Sequence, residues 1–379
     1  VSSTFTIGTE FIATPTSPPT SPAPATPPTP PQPATLVLLD ARKFNRHTFW
    51  CGQSGSGKTY ALGVVLEQLL LHTHLPIVIF DPNADFVRLA EPRPDAPVEA
   101  AAMIQDADIR IFHSTGKQTP RLHARYVDLS VASKAAVLHL DPIADAEEFN
   151  VLLHVDEDLR TADPVSYIRG LRSSEDPGRA KLATRIDNLQ ALEWKLWSLG
   201  GSSVTEQIDE RPAATVLDLG GFDHPAEAQT AALAVLEHLW NHREAREPVL
   251  LVLDEAHNFC PPNPVSPIEH ALTRQIVQIA AEGRKFGLWL FLSTQRPTKI
   301  HPNVLSQCDN LGVMKISTPR DLVELADVFG YAPESLLRQS PTFVQGQALF
   351  AGGFVERPTL VRVASRVTEE GGSDVRVPL

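Results

Sequence analysis

Residues 48–72 read Thr48-Phe-Trp-Cys51, then Gly52-Gln53-Ser54-Gly55-Ser56-Gly57-Lys58-Thr59-Tyr60, then Ala-Leu-Gly-Val-Val-Leu-Glu-Gln-Leu-Leu-Leu-His72. A short apolar run, a glycine-rich turn and a long helical pattern follow one another without a gap. The turn satisfies G-x-x-x-x-G-K-[ST] in full, and that order of strand, loop and helix is the one a phosphate-binding loop requires. Its glycines let successive backbone N–H groups turn inward around a phosphate, and the helix N-terminus adds its positive dipole end. Gly52, Gln53, Ser54, Gly55, Ser56, Gly57, Lys58, Thr59 and Tyr60 are therefore the expected nucleotide-binding residues. Lys58 is expected to reach the β- and γ-phosphates as a point charge, and Thr59 to offer a hydroxyl to Mg²⁺.

A loop of this kind hydrolyses nucleotide only with an acid at the end of a neighbouring buried strand. Val249-Leu-Leu-Val-Leu-Asp254-Glu255 is five apolar residues that turn abruptly acidic. Asp254 is the expected metal-associated carboxylate, and Glu255 the group that orients and polarises an attacking water. A further strand, ending in Ser293-Thr294-Gln295-Arg296-Pro297, offers Gln295 as a γ-phosphate sensor, or as a plain turn residue. Asp81, closing the run Pro76-Ile-Val-Ile-Phe80, either touches the outer shell of the metal or supports the loop, or else caps its own turn. Arg284 and Lys285 close a predicted helix; they either answer its C-terminal dipole or provide an arginine that completes the site of an adjacent subunit. The histidines and Cys260 nearby lack zinc-ligand spacing. The signature of transporter ATPases and the kinase motif set are missing from the sequence.

Outward from these motifs, short continuous apolar runs alternate with helical patterns. Expected strands are 35–39, 48–51, 77–80, 109–112, 215–219, 249–253, 288–293, 311–316, 348–350 and 360–363; expected helices are 59–72, 226–242, 268–282 and 320–329. Continuous rather than alternating apolar runs suit strands covered on both faces, so the fold expected is α/β, a mostly parallel sheet flanked by helices. Residues 142–212 carry helical spacing without a good strand and read as a helical insertion inside that domain. Ten of the 33 prolines fall between Pro15 and Pro33, among Ser, Thr and Ala. Such a segment buries too little apolar surface to offset its ordering entropy, so residues 1–34 read as a disordered tail, and 366–379 as a shorter one. The ATPase domain is then expected over 35–365.

The chain of 379 residues is 42% hydrophobic and 21% charged, which is ordinary for a globular protein and excludes a wholly disordered or collagen-like one. Three cysteines far apart in sequence offer no disulfide framework and suggest a reducing compartment. No apolar run approaches the roughly eighteen residues a membrane span needs, and no secretory pattern opens the chain, so a cytoplasmic protein without a membrane partner is expected. A net charge of −12 argues against a uniformly basic nucleic-acid coat. One stretch runs the other way: Arg284 to Arg320 holds six basic residues against the single acid Asp309, a local +5. Within it Lys299, Lys315 and Arg320 are the expected DNA-phosphate contacts.

Several of these motifs recur together. Ile79-Phe-Asp81-Pro-Asn-Ala-Asp85-Phe86, Val252-Leu-Asp254-Glu-Ala-His257-Asn-Phe259, Glu282-Gly-Arg-Lys285-Phe-Gly287 and Ser293-Thr-Gln-Arg-Pro297-Thr-Lys-Ile-His-Pro302, in that order after the glycine-rich loop, resemble the HerA branch of the HerA–FtsK ATPases. The resemblance covers most of residues 35–365. It implies a RecA-like core, a homo-hexameric ring, Mg²⁺-dependent ATP hydrolysis and translocation on double-stranded DNA, often beside a nuclease or another effector. It matches Lys58 and Thr59 to the loop pair, Asp254 and Glu255 to the acid pair, Gln295 to the sensor and Arg284 to the interface arginine. Such proteins usually begin with a small β-barrel, and the proline-rich residues 1–34 stand in its place here. Two other readings stay open: a nucleotide-gated ring that recruits an effector, and a protein-moving motor like the secretion and conjugation ATPases.

Overall fold

The computed structural model describes residues 3–12, 35–116, 118–154, 169–198 and 201–372. Eleven strands form one sheet. In chain order they are β1 (Thr4–Glu10), β2 (Leu36–Asp40), β3 (His47–Cys51), β4 (Ile77–Asp81), β5 (Ile109–His113), β6 (Ala214–Asp218), β7 (Val249–Leu253), β8 (Leu288–Thr294), β9 (Cys308–Val313), β10 (Gln347–Gly352) and β11 (Thr359–Val363). Across the sheet the order is β2-β1-β11-β10-β9-β3-β8-β7-β4-β6-β5. From β9 to β5 every pairing is parallel; from β9 to β2 every pairing is antiparallel.

Two cores explain the continuous apolar runs. On β3, Trp50 enters one core while Phe49 and Cys51 enter the other; on β4, Ile77 and Ile79 oppose Val78 and Phe80 in the same way. Strand geometry sends successive side chains to opposite faces, so a strand covered on both sides must be apolar at every position. The helix Lys58–His72 covers the Trp50 face, with Phe5, Ile7 and Phe44. The helices Pro225–Asn241 and Pro267–Glu282 cover the other. Within 142–212 the regular elements include the helices Ala146–His154, Pro177–Leu189 and Val204–Asp209, and Leu152, Leu182, Ile186 and Trp197 join the core of the second face.

The expected tails need correction near the start of the first and the start of the second. Thr4–Glu10 is β1, paired with both β2 and β11, and buries Phe5 and Ile7. At the other end Arg366, Val367 and Thr368 are buried. The Glu67 carboxylate, on the helix Lys58–His72, accepts from Arg366 Nε (3.0 Å), Val367 N (2.7 Å), Thr368 N (3.1 Å) and the Thr368 hydroxyl. Satisfying a fully buried carboxylate needs that many donors, and this fixes the segment against the helix. Residues 1–2, 13–34 and 373–379 of the expected tails lie outside the described residues. No helix of the described residues is long and apolar enough to cross a membrane.

Candidate active site

Parallel strands present their C-terminal ends along one edge, and here four of those ends converge. Cys51 pairs with Thr294, Leu292 with Leu253, and Leu253 with Phe80. The loop after β3, Gln295 after β8, Asp254 and Glu255 after β7, and Asp81 at the end of β4 therefore lie side by side. The strand β8 stands between the loop strand and the acidic strand.

The loop is built as its glycines require. Gly57, the N-cap of the helix Lys58–His72, has φ 85°, a left-handed conformation that costs any other residue energy. A Cβ on Gly52 would stand 2.7 Å from Ser56 Oγ and 2.8 Å from Met314 Cβ, so only glycine fits. Ser54 and Gly55 are exposed, Thr59 and Tyr60 half-buried. Gln53 anchors the loop: its N–H donates to the Lys315 carbonyl (2.8 Å), and its Oε1 accepts from Ser317 N (3.1 Å). Tyr60 accepts the Arg366 N–H at its hydroxyl (2.9 Å).

Lys58 is buried and donates from Nζ to Asp254 Oδ1 (2.9 Å) and Ser293 Oγ (2.9 Å), with Glu255 Oε1 at 3.2 Å. Burial alone would pull its pKa down; the charges of Asp254 and Glu255 outweigh that and hold it above the ordinary lysine value. Glu255 has a left-handed backbone, φ 46° and ψ 49°. Gln295 donates to it from Nε2 (2.8 Å) and from its backbone N (3.3 Å), and His257 Nδ1 lies 3.2 Å from Oε2. Burial pushes the Glu255 carboxyl up, but His257, the Lys58 charge and Gln295 together hold it down at about 2, so it is ionised at neutral pH.

Asp81 is fully buried and accepts the backbone N–H groups of Asn83 (3.3 Å), Asp85 (3.0 Å) and Phe86 (2.8 Å). Burial overrides those donors and raises its carboxyl to about 7. Burial and the nearby Asp254 charge likewise raise Asp85, to about 6. Carboxylate oxygens of Asp81, Asp85 and Asp254 lie within 4.8 Å of one another, and Asp254 Oδ2 is buried without a hydrogen-bond partner. An orphaned buried carboxylate oxygen beside two carboxyls of raised pKa fits a divalent cation, which supplies the charge they lack.

Not every expected residue joins this site. Arg284 sits at the opposite, N-terminal end of β8, where Nη1 donates to Asp309 Oδ2 (2.6 Å). Seven residues of β8 at about 3.3 Å each put it on the order of 20 Å from the loop of its own chain. Lys299 and Arg320 are exposed and Lys315 is half-buried. All three follow strands that end at the site's edge, and the helix Pro319–Val328 packs on the turn Pro297–Lys299. Sequence reasoning passed over Ser293, Asp85 and His257 as members of the site. Ser293 carries no motif, Asp85 reads as a turn residue, and His257 shows only its lack of metal-ligand spacing.

Residues 31–239 match the model of the central domain of helicase HerA. The chain belongs to the HerA helicase family. A probable helicase of Methanocaldococcus jannaschii is 33% identical over 375 residues, covering 90% of this chain and 70% of that protein. The DNA double-strand break repair helicase HerA of Pyrococcus furiosus is 23% identical over 381 residues, covering 86% and 67%. With the probable double-strand break repair helicase HerA of M. jannaschii the identity is 31%, and the match covers 36% of this chain but only 26% of that protein. Among solved structures, VirB4 of Thermoanaerobacter pseudethanolicus superimposes with a TM-score of 0.58 at 15% identity, over 87% of this chain and 94% of that one. The bacterial conjugative coupling protein TrwB gives 0.58 at 12% identity, over 88% and 89%. The fold of this HerA-type chain is thus that of the RecA-like P-loop ATPases.

Proposed function

We propose that this HerA-type ATPase hydrolyses ATP with Mg²⁺ and uses the energy to move along double-stranded DNA as a homo-hexameric ring. The observation that carries the reading is the set of groups around Glu255: an ionised carboxylate at a strand end, held by the Gln295 amide and by the loop lysine. An ATPase that only binds has no need of that second acid. Glu255 orients and polarises the attacking water, Lys58 neutralises charge on the β- and γ-phosphates, and Gln295 links the two. The loop residues 52–60 hold the nucleotide through backbone N–H groups. Thr59 and Asp254 would hold the Mg²⁺, with Asp81 and Asp85 beside Asp254; the ion, when bound, would supply charge stabilisation to the phosphates.

Arg284 is remote from its own loop, so its part in catalysis belongs to the site of an adjacent copy, reached by exchanging Asp309 for phosphate charge. The basic turns carrying Lys299, Lys315 and Arg320 open on the same edge as the nucleotide, which suits contacts to a DNA backbone. The ATPase unit is residues 35–365 with the helical region 142–212 inserted, extended by β1 and by the segment from Arg366. A nuclease or another effector would be the protein partner of such a ring. The test is a Glu255→Gln variant, which keeps the shape and removes the base: it binds ATP with wild-type affinity and does not turn over. Normal turnover in that variant contradicts the assignment.

A further inference from the structure

Glu255 depends on its neighbours for its aim, because its backbone lies in the left-handed region between a strand end and a short turn. Three groups hold its carboxylate: Lys58, Gln295 and His257. On the proposed reaction, Lys58 must release the acids to meet phosphate, and Gln295 is exposed at the root of the basic turn Pro297–Lys299. His257 has neither duty. We propose that His257 is the positioning residue for Glu255: it shares its Nδ1 proton between Thr294 Oγ1 and the nearby Glu255 Oε2, and so braces the carboxylate against the end of β8. This rests on the reading of Glu255 as the group that activates water.

The proton must be on Nδ1. That nitrogen lies 3.2 Å from Glu255 Oε2 and 3.1 Å from Thr294 Oγ1. A bare Nδ1 would set its lone pair against an anionic oxygen; a protonated one donates to it. The Thr294 hydroxyl already accepts the Arg296 N–H (3.0 Å), which fixes its place beside the ring. The turn that carries the ring is itself fixed. Asn258 N donates to the Glu255 carbonyl (2.9 Å) and Phe259 N to that of Ala256 (3.0 Å), while Ala256, Phe259 and Cys260 are buried. The turn that carries His257 is therefore rigid, and its side chain spans from the acidic strand to the sensor strand.

The test separates the two ring nitrogens. Asparagine places an amide N–H near the position of Nδ1, glutamine near that of Nε2. Steady-state hydrolysis at saturating ATP is measured for wild type, His257→Ala, His257→Asn and His257→Gln, together with the affinity of each for a non-hydrolysable ATP analogue. The expected result is a kcat loss of roughly tenfold to a hundredfold in the Ala and Gln variants. Recovery to within about threefold in the Asn variant is expected too, with analogue affinity unchanged in all three. Wild-type kcat in all three variants overturns the proposal while leaving Glu255 intact. Equal loss in all three, or affinity falling in step with kcat, also overturns it, because either marks a packing role. An inactive wild type overturns the reading of Glu255 and this inference with it.

Discussion

His47 shows how far one residue can be taken on burial and bonding alone. It is buried at the start of β3, where Nε2 donates to the Ala280 carbonyl (3.0 Å) and Nδ1 accepts the Leu290 N–H (2.9 Å). The second bond needs the neutral ring, because a protonated Nδ1 has no lone pair to accept with. Burial, reinforced by the Arg284 charge, lowers its pKa from 6.5 to about 4. Between those values the unfolded chain binds the proton and the folded one does not, so stability rises with pH there. His47's contribution is complete above 6.5 and is lost as the pH falls towards 4, an effect of roughly 3 kcal/mol. Urea unfolding of wild type against His47→Gln should show the acid-side slope shrinking in the variant; identical slopes would count against a neutral buried ring. At this scale Lys58, Asp254, Glu255 and Gln295 were legible because each stands at a fixed offset from an apolar run. Ser293 was not, because Lys58 comes within its reach only once β8 lies beside β3; nor was His257, whose contact to Thr294 needs β8 beside β7.

At the scale of elements, each of the ten apolar runs is a strand, with ends moved by a few residues; β3, β4 and β7 are covered on both faces, while β2 leaves Leu36 and Leu38 exposed. The eleventh, β1, buries the large side chains of only Phe5 and Ile7, two residues apart, and is parted from β2 by the proline run, so its composition reads as tail. The segment after β11 is polar in sequence yet fully engaged in the structure. Arg366 and Glu67 are both completely buried and 3.0 Å apart. Removing one partner strands the other charge in the core, a loss of about 3–5 kcal/mol. Arg366→Ala should therefore lower the urea midpoint strongly, and Glu67→Leu combined with Arg366→Leu should recover much of it. A single variant as stable as wild type would mean that the segment is not docked as described. Because Arg366 also donates its N–H to Tyr60, two residues after Lys58, this element ties the far end of the chain to the loop.

At the scale of the molecule, the strand order was not legible beforehand, because no local pattern records which parallel strands become neighbours. That order places the loop, the acids and Gln295 on one edge, with the lysine-bearing turns after β8 and β9. If those turns meet a DNA backbone, neutralising Lys299 and Arg320 together should weaken duplex binding uniformly across sequences. The slope of log affinity against log salt should flatten by about one for each charge neutralised; an unchanged slope removes both residues from the interface. A DNA motor requires that hydrolysis be coupled to duplex DNA. The most direct test is steady-state ATP hydrolysis with and without linear duplex DNA, with Glu255→Gln as the blank. Stimulation of several-fold or more, absent in the blank, is the predicted result. A low rate that the blank abolishes but duplex leaves unchanged would contradict the DNA motor and leave a ring whose hydrolysis serves a protein partner.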